Sequence, residues 1–464
     1  MQTLTVVAML QLSRRFLTDG KRAKAATVKL ALFVVILGGM VSVAQTGTQD
    51  KATQLPDEPG AAEHRPNVAA PAGTVIGGAP VVTLQRPPVT DRTKAQFLQA
   101  IVLPGRGMAV LQIKAYLPGK GEIDVLNAPP LPEAEKLLNK DDDEFGNEIF
   151  KIGGAILLPF ANRIRGDASA DGKTITTTIL GRKVTLPANW SGSAPGAERH
   201  SIHGLIRKAH FQDVITRNGV QNSAVNATLH AGNFDDHWIS DTDIEVEITL
   251  NHDAFEMTVT AKDVGPIPLP MGIGWHPYFV LPGDDRAQVH LHIPSETRAI
   301  MNNYDDTFTT GQRMSVKGTP YDFSAADGVP LGTQYLDDNY SNLLHDASDQ
   351  TISEIIDPAA KYGLRLITLS PKIRSIQVYA PPQKNFVAIE PQFNLPDPYN
   401  KNWGSTNTGM VLLQPGQSVS WRVRLELFTP NQMPPASSGS GLAGAAEKPG
   451  SQASSGFGLA GMEE

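Results

Sequence analysis

Hydrophobic and polar residues alternate over long stretches of the chain, the pattern typical of half-buried β-strands. Ile244, Val246, Ile248 and Leu250 are apolar at every second position, and the same spacing resumes at Phe255 after a short polar turn. Two alternating runs joined by a short turn predict a β-hairpin.

A second hairpin is predicted around Pro415-Gly416, because apolar residues also alternate over 419–427. Helical patterns are scarce: residues 132–139 predict one short helix, and a proline interrupts the pattern of 353–360. Many strands separated by Gly and Pro turns predict an all-β fold, a large antiparallel β-sandwich with few short helices.

The two ends of the chain differ in composition from its strand-rich middle. Residues 1–44 contain basic residues, then an apolar run shorter than the roughly 20 residues that cross a bilayer, then a small residue. We predict a cleaved signal peptide and an exported, periplasmic or extracellular protein; the alternative is an uncleaved N-terminal anchor. Residues 45–89 and 429–464 are predicted to be a disordered Pro/Ala-rich linker and a Gly/Ser/Ala-rich tail. The folded domain is then expected over 90–428.

The amino-acid composition limits which types of site and partner the protein can have. The 464 residues include no cysteine, which excludes disulfides, thiolate metal sites and cysteine nucleophiles. The formal net charge of -7 gives no general attraction to nucleic acid or anionic lipid. We therefore expect no nucleic-acid partner and no membrane partner beyond the export signal, and we expect catalysis to use His, carboxylates, Arg, Tyr or Ser.

Arg163 and Arg165 precede Gly166 at the first of three segments that break the alternation. The guanidinium group is a rigid fork of donors suited to sugar hydroxyls and carboxylates. A solvated strand end is the alternative interpretation of this segment.

His276 lies in the second segment, surrounded by Trp275, Tyr278 and Phe279 and followed by Pro277. Aromatic faces stack on sugars, and a histidine can change its protonation near neutral pH. A histidine packed in the core is the alternative.

Glu390 ends the apolar run 387–389 in the third segment. An ionised glutamate is almost never fully buried without a partner. Glu390 should therefore face a cleft or form a structural ion pair.

Five short motifs follow one another in a fixed order inside the predicted domain. They are Asn162-Arg163-Ile164, His203-Gly204, His276-Pro277-Tyr278-Phe279, Leu336-Asp337-Asp338-Asn339-Tyr340 and Glu390-Pro391-Gln392. In this order the set resembles the motif series of the aldose 1-epimerase (galactose mutarotase) family, and the similarity extends across most of 92–428. Phe145-Gly146 and Pro396-Asp397 also fit the pattern. The resemblance implies a galactose mutarotase-like supersandwich.

The resemblance also implies a role for each matching residue. Glu390 would be the general base and His276 the general acid. His203 would hydrogen-bond the ring and hydroxyl oxygens and help stabilise developing charge. Arg163 and Asp337 would hold sugar hydroxyls.

Further substrate-binding residues are expected at Asn162, Trp275 and Tyr278. Asp338 is the rival to Asp337, since both lie in one short motif. Asp337 is preferred, because the family's pattern places the carboxylate directly after a bulky apolar residue.

Mutarotation needs a base for the anomeric hydroxyl and an acid for the ring oxygen. Glu390 and His276 are expected on opposite sides of one bound pyranose, and Asp337 near a histidine would give an acid poised around neutrality. No cofactor and no metal are expected, because no nucleotide-binding glycine motif occurs and the pair His290 and His292 has no evident third ligand.

The main hypothesis is an isomerase that acts on a free monosaccharide such as glucose or galactose. A non-catalytic carbohydrate-binding envelope protein is the first alternative, because the linker and the repeat-bearing tail suit a surface module. Carbohydrate hydrolysis or elimination by Glu390 and Asp337 is the second. The loop 188–199 is expected to alter the rim of the site.

Overall fold

Two large antiparallel sheets make up most of the fold. The computed structural model describes residues 73–86, 91–283 and 285–430. Within this part, the single α-helix is α1 (Leu131–Leu138), and short 3₁₀ turns lie at Pro104–Arg106, Asn147–Lys151, Arg286–Gln288 and Lys401–Trp403.

The strands are listed in chain order. They are β1 (Val75–Ile76), β2 (Ala79–Pro80), β3 (Val82–Gln85), β4 (Gln96–Leu103), β5 (Ala109–Leu117), β6 (Gly121–Asp124), β7 (Gly154–Leu157), β8 (Arg163–Ile164), β9 (Asp167–Ala168), β10 (Thr174–Ile179), β11 (Arg182–Pro187), β12 (Ser201–Ile202), β13 (Gln212–Asn218), β14 (Ser223–Gly232) and β15 (Thr242–Leu250). They continue with β16 (Ala254–Asp263), β17 (Leu269–Met271), β18 (Gly274–Val280), β19 (His290–His292), β20 (Ser295–Met301), β21 (Thr309–Ser315), β22 (Val329–Pro330), β23 (Leu336–Leu343), β24 (Thr351–Asp357), β25 (Tyr362–Thr368), β26 (Ser375–Ala380), β27 (Phe386–Gln392), β28 (Val411–Leu413) and β29 (Ser418–Phe428).

The nine-stranded sheet has the order β13-β14-β15-β16-β29-β25-β24-β19-β22. The eleven-stranded sheet has the order β21-β20-β23-β26-β27-β18-β7-β5-β4-β3, with β6 paired to β5. Smaller sheets pair β1 with β2, β8 with β12, β17 with β28, and β9 with β10 and β11. The predicted all-β, antiparallel architecture with few helices is confirmed.

The core lies between the two large sheets. In β15 the apolar residues are buried at alternate positions, so one face of this strand packs inward. Phe255 of one sheet stacks on Trp275 of the other, with ring centroids 5.9 Å apart. Trp421 donates its indole N–H to the Pro391 carbonyl across the same layer, at 3.2 Å. The two sheets are therefore joined by aromatic packing and by a buried hydrogen bond.

The first predicted hairpin is confirmed, since β15 and β16 pair from Thr242↔Asp263 to Leu250↔Phe255. The prediction of a hairpin around Pro415-Gly416 is wrong, because β28 pairs with β17, whereas β29 pairs with β16 and β25. The physical reason is that the turn bonds to the end of β16. Gly416 donates its N–H to the Asp263 carbonyl at 2.8 Å.

Helix α1 confirms the short helix predicted over 132–139, and the interrupted pattern of 353–360 lies mostly in strand β24. No helix within the described ranges is long and apolar enough to cross a bilayer.

The folded region extends farther toward the N-terminus than predicted. Part of the expected linker, 45–89, forms β1 to β3, and β3 pairs with β4 at one edge of the eleven-stranded sheet. The reason is burial: Ile76 and Leu84 are both fully buried. The predicted signal peptide, the linker before residue 73 and the tail from 431 lie outside the described residues.

Candidate active site

A contact between His276 and Glu390 forms the centre of the candidate site, where His276 Nε2 lies 3.2 Å from Glu390 Oε1. Strands β18 and β27 are neighbours, and Gly274 is paired with Gln392. Because the two strands are antiparallel, counting two residues forward from Gly274 and two residues back from Gln392 places His276 opposite Glu390. Opposed residues of neighbouring strands share one face of the sheet, so strand register alone creates this contact.

Trp275 lies on the other face of β18. It is fully buried, stacks on Phe255 and donates its indole N–H to the Gly154 carbonyl at 3.0 Å. Successive side chains of a strand point to opposite faces, so Trp275 packs in the core while His276 faces the site. The prediction that Trp275 binds substrate is therefore wrong.

Asp337 and Gln377 continue the same face on β23 and β26. Gln377 lies opposite Glu390 in the sheet, and its amide donates to Asp337 Oδ1 at 2.6 Å. Arg163 Nη2 approaches Asp337 Oδ2 at 3.7 Å. Gln377 was not predicted, although a polar residue inside the otherwise apolar run 376–380 is a signal that could have found it.

The short ribbon of β8 and β12 brings Arg163 and His203 to this face. The N–H of His203 donates to the Asn162 carbonyl at 2.9 Å, and both of these residues have left-handed backbone, with φ of 60° and 59°. Asn162 Oδ1 accepts from the backbone N–H of Arg163 at 3.0 Å and from its Nη1 at 3.2 Å. Asn162 is only 1% exposed, so it orients Arg163 and has almost no surface to offer a ligand.

Steric crowding explains why the His203-Gly204 motif ends in glycine. Gly204 has φ of +71°, and a Cβ at this position would lie 2.2 Å from the Leu158 carbonyl oxygen. The next residue, Leu205, donates its N–H to the same carbonyl at 2.7 Å. Only glycine permits this close approach, which fixes the chain directly after His203.

Aromatic rings enclose the two histidines. The rings of His203 and His276 are 4.9 Å apart and nearly perpendicular, and Phe150 lies 5.0 Å from His203. Tyr278 packs on the imidazole of His276 at 4.7 Å and is 2% exposed. It therefore supports His276 from behind and presents little area to a substrate.

Asp338 points away from this face. Its carboxylate pairs with Arg298 and accepts a hydrogen bond from the Tyr304 hydroxyl at 3.0 Å. Burial raises the pKa of Asp338 to about 6. Of the two rival carboxylates, Asp337 is the one that lies with Arg163 and Gln377.

Burial sets the protonation of the site. It raises the pKa of Glu390 well above its ordinary value, and the nearby charge of Asp337 raises it further. It lowers the pKa of His276 to about 3. Burial also lowers the pKa of His203, and His276 adds to this effect. For Asp337 burial raises the pKa, while Arg163 acts in the opposite direction.

One expectation is corrected by this arrangement. Asp337 contacts Arg163 and Gln377, so it does not give a histidine acid poised around neutrality; burial instead keeps His276 neutral. His276 and Glu390 also touch each other directly, and their placement on opposite sides of a bound sugar stays a prediction. Burial thus favours the neutral forms of both groups, in which the pair holds one proton.

Solvent reaches the cluster only narrowly. Asp337 is 9% exposed and Arg163 8%, while Glu390 is 1% exposed. A ligand would therefore meet the arginine and the aspartate first, and it would have to exchange with the contact between Glu390 and His276.

The loop 188–199 is fixed to a neighbouring turn, and its effect on the rim of the site stays a prediction. Ser193 and Ala194 donate their backbone N–H groups to the carboxylate of Asp305, at 2.7 and 3.0 Å. His200, directly after the loop, is fully buried and packs edge-on against Phe308 at 4.8 Å.

No group of three or more His, Asp or Glu side chains that could hold a metal ion occurs in the described ranges. His292 of the histidine pair on β19 has its Nδ1 2.8 Å from the Ala325 carbonyl oxygen.

The raised pKa of Glu390 makes a prediction about stability. Folding favours the protonated carboxyl, so this stabilisation is complete at low pH and is lost as the pH rises through the folded pKa. Glu390→Gln mimics the protonated form. Its thermal unfolding midpoint should exceed that of the parent protein increasingly as the pH rises, and the difference should shrink toward acid pH. Differential scanning calorimetry over a pH series measures this.

The exposed residue Glu296 supplies the control variant, Glu296→Gln, which should show no such pH-dependent gain. A Glu390→Gln protein that is destabilised most at alkaline pH would show that Glu390 is ionised in the folded state.

Comparison with known proteins supports the family resemblance. The family model described as aldose 1-epimerase matches residues 128–426, more than half of the chain. No protein with a curated description matches the sequence significantly.

Solved structures share the fold. A galactose mutarotase-like protein from Clostridium acetobutylicum is 17% identical, with a TM-score of 0.58, over 71% of this chain and 92% of the other. An aldose epimerase homologue from C. elegans is 18% identical, with a TM-score of 0.56, over 76% and 99%. A galactose mutarotase-like protein from Lactobacillus casei is 16% identical, with a TM-score of 0.52, over 75% and 100%. Together with the match to the family model, the fold shows that the chain belongs to the aldose 1-epimerase family.

Proposed function

We propose that this protein interconverts the α and β anomers of a free aldose such as glucose or galactose, with Glu390 as base and His276 as acid. The observation that carries the proposal is the direct contact of these two side chains beside Arg163 and Asp337. We also propose that residues 1–44 direct export to the periplasm or the exterior.

Ring opening uses two proton transfers, one to Glu390 and one from His276. Glu390 as carboxylate takes the proton of the anomeric hydroxyl O1, and His276 as imidazolium gives a proton to the ring oxygen O5. The C1–O5 bond breaks and a C1=O1 double bond forms. The pair ends with Glu390 protonated and His276 neutral, the state that burial favours in the free site.

Ring closure reverses these transfers after the aldehyde rotates about the C1–C2 bond. Glu390 returns its proton to O1 and His276 takes the proton of O5, so that the other anomer forms. The pair holds one proton throughout. Because O1 and O5 are both bonded to C1, an acid and a base on neighbouring strands are close enough to serve both.

Arg163, Asp337 and Gln377 supply the polar groups that suit sugar hydroxyls. Arg163 donates hydrogen bonds, Asp337 accepts them, and the amide of Gln377 can do both. Neutral His203 lies edge-on to His276 and can hydrogen-bond an oxygen of the sugar.

The direct test is polarimetry of freshly dissolved pure α-glucose and α-galactose. Glu390→Gln and His276→Asn should each lower kcat by about 100- to 10,000-fold, since each removes a positioned proton-transfer group. The control Glu296→Gln should retain the parent rate. A Glu390→Gln protein as active as the parent would exclude the proposed base.

Two results would favour the alternative functions. Calorimetric binding of a sugar without any rate enhancement would indicate a binding protein. Release of new reducing ends from a polysaccharide would indicate hydrolysis or elimination.

The shared proton predicts an unusual pH profile for kcat/KM, which reports the free enzyme. An ordinary glutamate base would lose activity as it becomes protonated at about pH 4.3. Here the pair keeps its single proton down to the pKa of His276, about 3. Polarimetry, corrected for the uncatalysed rate, should therefore give similar kcat/KM at about pH 4.3 and about pH 6. An acid limb centred near the ordinary glutamate value would contradict the shared proton.

Asp337 and Asp338 should respond differently to the same change. Asp337→Asn should raise KM by about 10- to 100-fold, because a charge-assisted hydrogen bond is worth about 1.5–3 kcal/mol. Asp338→Asn removes the charge of a buried carboxylate and leaves half-buried Arg298 without its partner, so it should lower the free energy of unfolding by about 3 kcal/mol. Steady-state polarimetry and urea unfolding measure the two effects. The reverse assignment holds if Asp338→Asn alone raises KM in a protein of parental stability.

A further inference from the structure

Arg207 is a buried cation whose hydrogen bonds all go to the backbone. It is 4% exposed, and no carboxylate of the described residues lies within ion-pairing distance of it. Burial lowers its pKa to about 10, so it stays charged at neutral pH. The charge of Asp143 acts in the opposite direction but forms no direct ion pair with Arg207. Burying a charge without a direct ion pair is costly, which implies that the hydrogen bonds of Arg207 have a specific task.

The carbonyls that Arg207 holds lie on both sides of His203. Nη1 donates to the Ile202 and Gly204 carbonyls, at 2.5 and 3.0 Å. These two peptide groups flank the left-handed backbone of His203, which determines where its imidazole points. Three-point contact by a planar guanidinium restrains orientation in a way that a single ammonium contact does not.

The same guanidinium restrains the aromatic wall of the site. Nε donates to the Phe145 carbonyl at 3.1 Å, and the guanidinium carbon lies 5.7 Å from the ring centre of Phe150. Phe150 in turn contacts both His203 and His276. Arg207 therefore links the Phe145 segment, the His203 turn and the ring that packs on both histidines.

We propose that Arg207 is a positioning residue that fixes the orientation of His203 through the flanking carbonyls. The hydrogen bonds of Arg207 go to backbone carbonyls and not to His276 or Glu390, so Arg207 acts through His203 and Phe150. The kinetic part of this inference rests on the proposed epimerase function; the structural part does not.

The test uses Arg207→Lys in the full chain, because lysine keeps the charge and removes the fork. We expect kcat to fall by about 10- to 100-fold, since a small misplacement of a catalytic group can cost this much. KM should change by less than about threefold, because the loss concerns the transition state. Arg207→Met, which removes the charge as well, should be at least as impaired.

Arg86 provides a matched control. It is also a buried arginine, 8% exposed, and it donates to the Gly219 and Val220 carbonyls of a turn between β13 and β14. Arg86→Lys should lower the thermal unfolding midpoint in the way that Arg207→Lys does and leave kcat unchanged.

A second readout needs no activity. In protein labelled at the histidine ring nitrogens, the His203 signals are those lost in His203→Gln. The parent should give one set of neutral-imidazole signals for His203, and Arg207→Lys should shift or broaden them while Arg86→Lys does not. Unchanged His203 signals in Arg207→Lys would overturn the proposal. If the parent protein does not accelerate mutarotation, the epimerase proposal is excluded, while the His203 signals still test the role of Arg207.

Discussion

The register between β18 and β27 is the constraint on which the site depends. It places His276 and Glu390 opposite each other on one buried face, at 3.2 Å. Burial disfavours the charged form of each group, so the pair is most stable with both groups neutral and one proton between them. A slip of one strand by one residue in this pairing would turn one of the two side chains to the other face and remove the contact.

The remaining groups reach this face by a different route. Arg163 and His203 come from a ribbon of two very short strands, where regular pairing ends almost at once. Their positions are set by hydrogen bonds and backbone conformation: the left-handed residues Asn162 and His203, and the glycine that fits against the Leu158 carbonyl. The rigid sheet thus holds the proton-transfer pair, while a ribbon restrained by hydrogen bonds holds the donors beside it. Asp397 joins the two parts, because its N–H donates to the Arg163 carbonyl and its carboxylate accepts from the Arg165 N–H.

Much of the fold followed from alternation, which is a local property of the sequence. The β15 and β16 hairpin was predictable because its two strands are neighbours in sequence. The partners of β28 and β29 were not, since these strands pair with distant segments and the turn at Pro415-Gly416 bonds to Asp263 instead. Residues 73–86 lack a long alternating run, and it is the burial of Ile76 and Leu84 and the pairing of β3 with β4 that make them part of the fold.

The motifs identified the residues of the site but not the direction in which each side chain points. Trp275 and His276 are adjacent in one motif, and alternation along β18 sends one to the core and the other to the site. The same alternation along β23 places Asp337 beside Arg163 and turns Asp338 to the other face, where it pairs with Arg298. Gln377 lies in none of the five motifs and was found only when the sheet placed it between Asp337 and Glu390.

Protonation was the least predictable property, because it depends on burial more than on residue type. From sequence, a histidine near an aspartate suggested a charged acid. In the fold that aspartate is occupied by Arg163 and Gln377, and loss of solvent governs His276 instead. For a general acid–base pair the consequence is favourable: what must be conserved through the reaction is one proton between two groups, and a dry site disfavours both its loss and the gain of a second. The same burial that lowers the pKa of the histidine raises that of the glutamate, so the free pair keeps one proton, in the distribution from which ring closure starts.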